Sequence, residues 1–221
     1  MITLNSDAAS TSLSKTTKAI LNEYGIKLNK NLGQNYLIDR NKRDQIIQFG
    51  NLTKDDVVLE IGPGIGTLTI ELAKRVKKVI AIEQDSNICQ ILENRLKKEN
   101  IDNVELINDD ALNVEFPKFD KIISNLPYQI SSPITFKFLN YDFQLAILMY
   151  QKEFASRMNG KVGSKNYSRL SAMLYFKCDV DLLTGVSAES FIPKPKVDST
   201  VVRLTPVSYT HLRAHETDSY L

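Results

Sequence analysis

The chain has 221 residues, 43% hydrophobic and 24% charged, with a formal net charge of +2; this fits one α/β domain, or one domain plus a fragment, of ordinary soluble composition. No apolar run approaches the ~20 residues of a membrane span, so no membrane partner is expected. The two cysteines, Cys89 and Cys178, have neither metal-ligand nor disulfide spacing and read as buried small hydrophobes in a reducing cytoplasm. In chain order, residues 1–14 are rich in Ser, Thr, Asn and Asp and read as a disordered tail without a signal-peptide core. Residues 15–24 predict a short helix with Ala19, Ile20 and Tyr24 on one face. Residues 27–37 mix basic, amide and aromatic side chains ahead of a helix over 40–49. They suit either a solvated linker or a flap over a ligand, with Gln34 and Asn35 as hydrogen-bonding groups. Residues 57–61 are an apolar, β-branched run, hence a buried strand. It enters Gly62-Pro63-Gly64-Ile65-Gly66 and then a helix over 67–76, with Thr67 as N-cap and Glu71 in its first turn. Strand, Gly-rich turn and helix form the first unit of a doubly wound fold, and the glycines let a ligand approach the backbone. The spacing lacks the dinucleotide fingerprint, and no Gly-Lys-Ser/Thr marks a P-loop.

A second strand over 79–82 ends at Glu83. An acidic residue about 20 positions beyond the Gly turn suits a ribose diol, against the plainer reading of an exposed strand-end carboxylate. Residues 86–99 predict an amphipathic helix burying Ile88, Ile91, Leu92 and Leu96. A third strand over 104–107 ends in Asn108-Asp109-Asp110-Ala111, where Asp110 could accept from an adenine amino group and Asp109 competes for that role. A fourth strand over 120–124 delivers Asn125-Leu126-Pro127-Tyr128. Alone these four make an ordinary turn. They are also a set of tools for an exocyclic amine: an amide acceptor in Asn125, a stiff proline that removes a donor, and a ring in Tyr128 on which a base can stack. Asn125 Oδ1 and a backbone carbonyl near Leu126 or Pro127 would bind the two N–H groups of the amine. That draws its nitrogen toward tetrahedral geometry and frees the lone pair. Beyond lie a helix over 133–139, a strand over 144–150, a helix over 151–158, a polar, basic loop over 161–169 and a helix over 170–176. Two late, antiparallel strands over 180–186 and 197–204 flank a rigid basic loop, 191–196.

In this order, the Gly turn, Glu83, Asp110 and the Asn-Leu-Pro-Tyr loop resemble the class I S-adenosylmethionine-dependent methyltransferases. The stretches 31–37, 60–64, 125–128 and 191–202 are most similar to the ribosomal RNA adenine dimethylases, and 150–170 to archaeal members. The resemblance covers about residues 16–206 and sets the expected catalytic domain at 15–206. It implies a Rossmann-like, mostly parallel seven-stranded sheet with a late antiparallel strand. The implied activity is dimethylation at N6 of two adjacent adenines in small-subunit ribosomal RNA, on the immature small subunit, by a cytoplasmic monomer using S-adenosylmethionine. For the cofactor it implies that Asn35 and Leu37 close over the methyl donor, Gly62 and Gly64 cradle it, Glu83 holds its ribose and Asp110 meets its adenine. For catalysis it implies Asn125 beside cofactor and amine, Pro127 in the same loop and Tyr128 stacked on the target base. Phe191 would stack on the base's other face or belong to the core. RNA contacts are expected from Lys27, Lys30, Arg40, Lys42 and Arg43, from Lys152, Arg157, Lys161, Lys165 and Arg169, and from Lys194 and Lys196.

The pattern is departed from twice. Tyr36 stands where Phe is more typical, and residues 207–221 do not resemble the start of the helical domain that follows in the family. His211 and His215 fall there and read as part of a vector-derived or frame-shifted end rather than a metal pair. Three alternatives stand beside the small-subunit dimethylase: a large-subunit adenine methylase of the macrolide-resistance kind, a non-catalytic RNA-binding assembly or transcription factor, and a small-molecule N-methyltransferase.

Overall fold

A computed structural model describes residues 12–26 and 35–207; the expectations for residues 1–11, for the 27–34 part of the flap and for 208–221 lie outside the described residues. Helix α1 (Leu13–Glu23) is capped by Ser12, whose side chain accepts from the Lys15 N–H at 3.3 Å. It buries Thr17 and Leu21, while Ala19 and Tyr24 face solvent. Of the expected face only Ile20 packs inward, against the cluster that holds Tyr36 and Ile65; the rest is out of phase because the helix also packs through a threonine that hydropathy does not mark as apolar. Strand β1 (Tyr36–Leu37) leads to helix α2 (Arg40–Phe49), capped by Asp39.

The alternating units follow: β2 (Val57–Ile61), α3 (Thr69–Ala73), β3 (Lys78–Glu83), α4 (Ser86–Lys98), β4 (Val104–Asn108), β5 (Lys121–Asn125), α5 (Ser131–Phe138), β6 (Leu145–Gln151) and α6 (Lys152–Met158). The chain closes with α7 (Arg169–Lys177), β7 (Cys178–Val186), β8 (Phe191–Ile192) and β9 (Ser199–Pro206). Helix α3 starts two residues later than expected, and Leu68, not Thr67, precedes it without a side-chain cap. Gly62, Gly64 and Gly66 have φ of +66°, +56° and +88°, so the chain cannot enter the right-handed helical region before Gly66 is passed. Helix α4 matches its pattern: Asp85 caps it, Arg95, Lys97 and Lys98 lie in its last turn, and Ile88, Ile91, Leu92 and Leu96 are buried, with both ends complementing the helix dipole. Cys178 is buried, but Cys89 is only half-buried.

The seven-stranded sheet has the order β4-β3-β2-β5-β6-β9-β7. Its first five strands run parallel and β9 is antiparallel to both neighbours, as the resemblance implied. Alternation along each strand splits the core in two. Leu59, Ile61, Ile80, Ile82, Ile122 and Leu148 face Phe116, Phe138 and Leu174 on one side. Val58, Val79, Ala81, Ile123, Ile147 and Val201 face Ile46, Leu72 and Phe191 on the other. A separate two-stranded sheet, unforeseen from sequence, pairs Tyr36 with Ile192 and Leu37 with Phe191. It ties the flap to the basic proline loop.

At the amino end of β2 a buried ion pair joins Lys121 to Asp56 at 2.9 Å. Lys121 Nζ also donates to the Asn51 carbonyl at 2.8 Å, and Asp56 accepts from the Thr53 N–H at 2.6 Å. Burial alone would raise the Asp56 pKa, but the Thr53 hydrogen bond and Lys121 hold it below the usual carboxylate range.

Candidate active site

Strands β2 and β5 pair at Val58–Lys121 and Leu59–Ile122 and then part. Where the ladder stops, the Ser124 hydroxyl takes over: it accepts from the Ile61 N–H at 3.2 Å and donates to the Ile61 carbonyl at 2.5 Å. Beyond this point β2 feeds β3 on one side and β5 feeds β6 on the other. Such a switch point leaves a crevice at the carboxyl ends of the strands. A cleft of about 260 Å³ lies there, lined by Asn35, Leu37, Gly62, Gly64, Glu83, Asp110, Asn125 and Pro127 among others. Eight side chains and glycines singled out from sequence thus meet at one place.

The two loops of the crevice touch. A Cβ on Gly62 would lie 2.9 Å from Pro127 Cγ, and one on Gly64 would lie 3.0 Å from a Tyr36 ring carbon. The glycines therefore serve close packing as well as positive φ. Glu83 is buried; its Oε2 accepts from the Gly64 N–H at 3.1 Å and its Oε1 from the Asp85 N–H at 3.0 Å. Burial raises its pKa, and these backbone donors oppose the rise. Asp110 Oδ1 accepts from the Leu112 N–H at 2.9 Å and Oδ2 from the Asn113 side chain at 3.2 Å. The competing Asp109 instead turns Oδ1 to the Asp110 N–H at 2.7 Å and is more exposed. The loop behind Asp110 is pinned by Lys137, whose Nζ donates to the carbonyls of Ala111, Leu112 and Val114 at 2.9, 3.2 and 2.5 Å and lies 4.3 Å above the Phe116 ring. Nothing in the local sequence around Lys137 signals this role, since its partners come from a loop more than 20 residues earlier.

Asn125 is the last residue of β5, paired with Met149. One N–H of its Nδ2 donates to the Asn35 carbonyl at 3.0 Å, which fixes the orientation of the amide and gives Oδ1 as an acceptor. The Pro127 carbonyl accepts from the Ile130 N–H at 3.1 Å. Tyr128 opens a single 3-10 turn (Tyr128–Ile130) next to the cleft but, unlike Asn125, Pro127 and Gln129, does not line it; its hydroxyl is 2.6 Å from Ser199 Oγ. Of the two places expected for Phe191, against the base or in the core, it takes the core. It is 2% exposed, packs in the core with Leu37 and Val186, and does not line the cleft. Its pairing with Leu37 draws the ring inward.

Sequence reasoning missed Glu60. It lies in the cleft wall, is 2% exposed, and its Oε2 has no hydrogen-bond partner among the described residues. Burial, and after it the nearby Glu83 charge, push its pKa up to about 8. A charged residue inside an apolar strand was the available signal. Among the described residues no cluster of His, Cys, Asp or Glu could hold a metal ion, and no helix is long and apolar enough to cross a membrane.

The sequence model of the family described as "Ribosomal RNA adenine dimethylase" matches residues 25–219. A relative from Methanosphaera stadtmanae, called "Probable ribosomal RNA small subunit methyltransferase A", is 54% identical over 86% of this chain and 70% of its own length. Among solved structures, a dimethyladenosine transferase from Plasmodium falciparum is 42% identical with a TM-score of 0.75. The match covers 80% of this chain and 65% of that one, so the chain spans somewhat under two thirds of that protein. The 23S rRNA methyltransferase ErmE is 33% identical with a TM-score of 0.70, over 78% of this chain and 70% of that one. The crevice at the switch point, the mixed seven-stranded sheet and these likenesses agree: the chain belongs to the ribosomal RNA adenine dimethylase family.

Proposed function

We propose that this chain transfers methyl groups from S-adenosylmethionine to the N6 amines of two adjacent adenines in small-subunit ribosomal RNA. The observation that supports the reading is the Asn125 amide, which lines the cleft and is held in orientation by one N–H on the Asn35 carbonyl at 3.0 Å, with its oxygen able to accept from a donor there. A target amine is such a donor. With the Pro127 carbonyl engaged by Ile130, the Leu126 carbonyl is the second acceptor we assign. Two fixed acceptors favour the pyramidal amine over the planar one, so they bind the transition state better than the ground state.

The cleft fits the cofactor. Gly62 and Gly64 bring bare backbone to it, Glu83 and Asp110 keep lone pairs for hydroxyl and amino donors, and Glu60, whose Oε2 has no partner among the described residues, suits the amino-acid ammonium once it gives up its proton. When bound, S-adenosylmethionine supplies an electrophilic methyl on a sulfonium centre. The protein's part is orientation and electrostatics, and no strong base is required of it. Tyr128 offers its ring to the unstacked base.

RNA backbone contact falls to Lys152, Arg157, Lys161, Lys165 and Arg169. All five are exposed, and none makes an ion pair with another described residue. Arg169 lies 5.8 Å over the Phe136 ring, and exposed cations of this kind can neutralise phosphates. By contrast Arg43 pairs with Asp44, and Lys194 with Glu189. Small-subunit RNA is favoured over large-subunit RNA because identity is 54% and 42% to the small-subunit methyltransferase and the dimethyladenosine transferase, against 33% to the 23S enzyme. The test is transfer from labelled S-adenosylmethionine to immature small subunits, with nucleosides identified. Dimethyladenosine in small-subunit RNA is the expected product; label in large-subunit RNA alone would favour the second reading.

A further inference from the structure

Tyr128 leaves β5 just after Asn125, whereas Ser199 opens β9, and β6 lies between those two strands. The Tyr128 side chain therefore crosses the end of β6, and its hydroxyl meets Ser199 Oγ at 2.6 Å. Ser199 is a rigid anchor. It is 1% exposed and paired with Gln151 on one side and Val186 on the other. Its neighbour Asp198 is held as well, accepting from the Lys152 N–H and the Ala188 N–H, each at 2.9 Å. Tyr128 sits in a one-turn 3-10 segment closed by the Ile130 N–H on the Pro127 carbonyl at 3.1 Å and the Ser131 N–H on the Tyr128 carbonyl, and an unanchored tyrosine swings about two side-chain bonds. Fixing the hydroxyl removes that freedom and sets the plane of the ring relative to Asn125.

We propose that Ser199 is a positioning residue for methyl transfer, holding the Tyr128 ring by its hydroxyl so that the target base meets a pre-set stacking face beside the Asn125 acceptor. The inference rests on the stacking reading of Tyr128 given above. Ser199 touches neither cofactor nor base, and acts through Tyr128. A side chain locked by such a neighbour holds a reacting partner within the narrow tolerance that transfer requires.

The test is a mutant cycle on kcat and KM for transfer to immature small subunits, with the cofactor Kd measured in parallel by calorimetry. Ser199→Ala and Tyr128→Phe each delete one half of the contact. Each is expected to lower kcat/KM by about 3- to 10-fold, the effect of one hydrogen bond, while cofactor Kd stays within about twofold. The double variant is expected to be no worse than either single, because both remove the same bond. Ser199→Thr, which restores a hydroxyl, is expected to recover most of the activity. Additive losses in the double variant, or a Ser199→Ala enzyme with unchanged kcat and KM, would overturn the positioning role. Tyr128→Ala distinguishes the two layers: a wild-type rate there overturns the stacking reading, whereas a large loss there with a silent Ser199→Ala overturns only the anchor. A wild-type chain that transfers no methyl would overturn the catalytic reading beneath both.

Discussion

The two ends of β2 each hold a buried carboxylate, four residues apart, in opposite electrical conditions. At the amino end Asp56 has Lys121 at 2.9 Å, a backbone donor from Thr53, and a lowered pKa. At the carboxyl end Glu60 has an oxygen without a partner among the described residues, and burial pushes its pKa up to about 8. Both side chains pay for burial, but only one is repaid inside the chain. A fold can satisfy its buried polar groups at the end that only has to be stable, and leave one unsatisfied at the end that faces the cleft.

The contrast can be broken most forcefully at Lys121. Lys121→Ala strands Asp56 as an unpaired buried charge and is expected to destabilise by about 3–5 kcal/mol, read as a lower urea midpoint. A Lys121→Met, Asp56→Leu double replacement should cost far less if charge is the cause. At the other end Asn125→Ala is expected to cut kcat for methyl transfer by about 10²–10³-fold, the usual loss for one pre-set transition-state partner, with cofactor Kd changed only a few-fold. Wild-type turnover would refute the amine-orienting role.

Glu60 sharpens the comparison through pH. Its folded pKa lies above that of an unfolded glutamate, so the folded chain binds the extra proton between about pH 4.5 and 8. Stability of the ligand-free protein should therefore fall as pH rises through that window, and Glu60→Gln should flatten the slope. Asp56 acts with the opposite sign: its folded pKa is lowered, so its contribution is present above the ordinary carboxylate pKa and is lost on acidification. Cofactor binding near pH 7 should release a proton from Glu60, seen as calorimetric enthalpies that depend on the buffer. Glu60→Gln should abolish that dependence and weaken binding by roughly 10- to 100-fold. The smallest expected effect is at Tyr36, whose buried hydroxyl has no partner among the described residues. Tyr36→Phe is expected to stabilise by about 1 kcal/mol, a Tm rise of about 2–4 °C.

The parallel half of the sheet was readable because β-branched runs at 57–61, 79–82 and 104–107 end in residues whose chemistry differs sharply from the run itself. Glu83, Asp110 and Asn125 were visible for that reason. What stayed hidden depends on distant partners. The pairing of Tyr36–Leu37 with Phe191–Ile192 joins segments about 155 residues apart through two residues each, too short for any periodicity, and it set Phe191 in the core rather than against the base. Thr67 has the right chemistry for a cap but follows a glycine at φ +88°, a geometry sequence does not print. Glu60 was read as part of a strand, since its protonation depends on what surrounds the strand.

The place of β9 has a consequence for the order in which the molecule can be made. Strand β7 precedes β9 in the chain yet reaches the sheet only through it, because β9 sits between β6 and β7. A chain emerging from the ribosome can thus complete β2 to β6, with Gly62, Glu83, Asp110 and Asn125 in place, while β7 waits unpaired. Ser199 is the first residue of β9, so the contact that holds Tyr128 forms only with the last strand. The side of the crevice formed by Gly62, Glu83, Asp110 and Asn125 can be assembled early in synthesis, whereas the pairing of Leu37 with Phe191 and the contact of Tyr128 with Ser199 are made last.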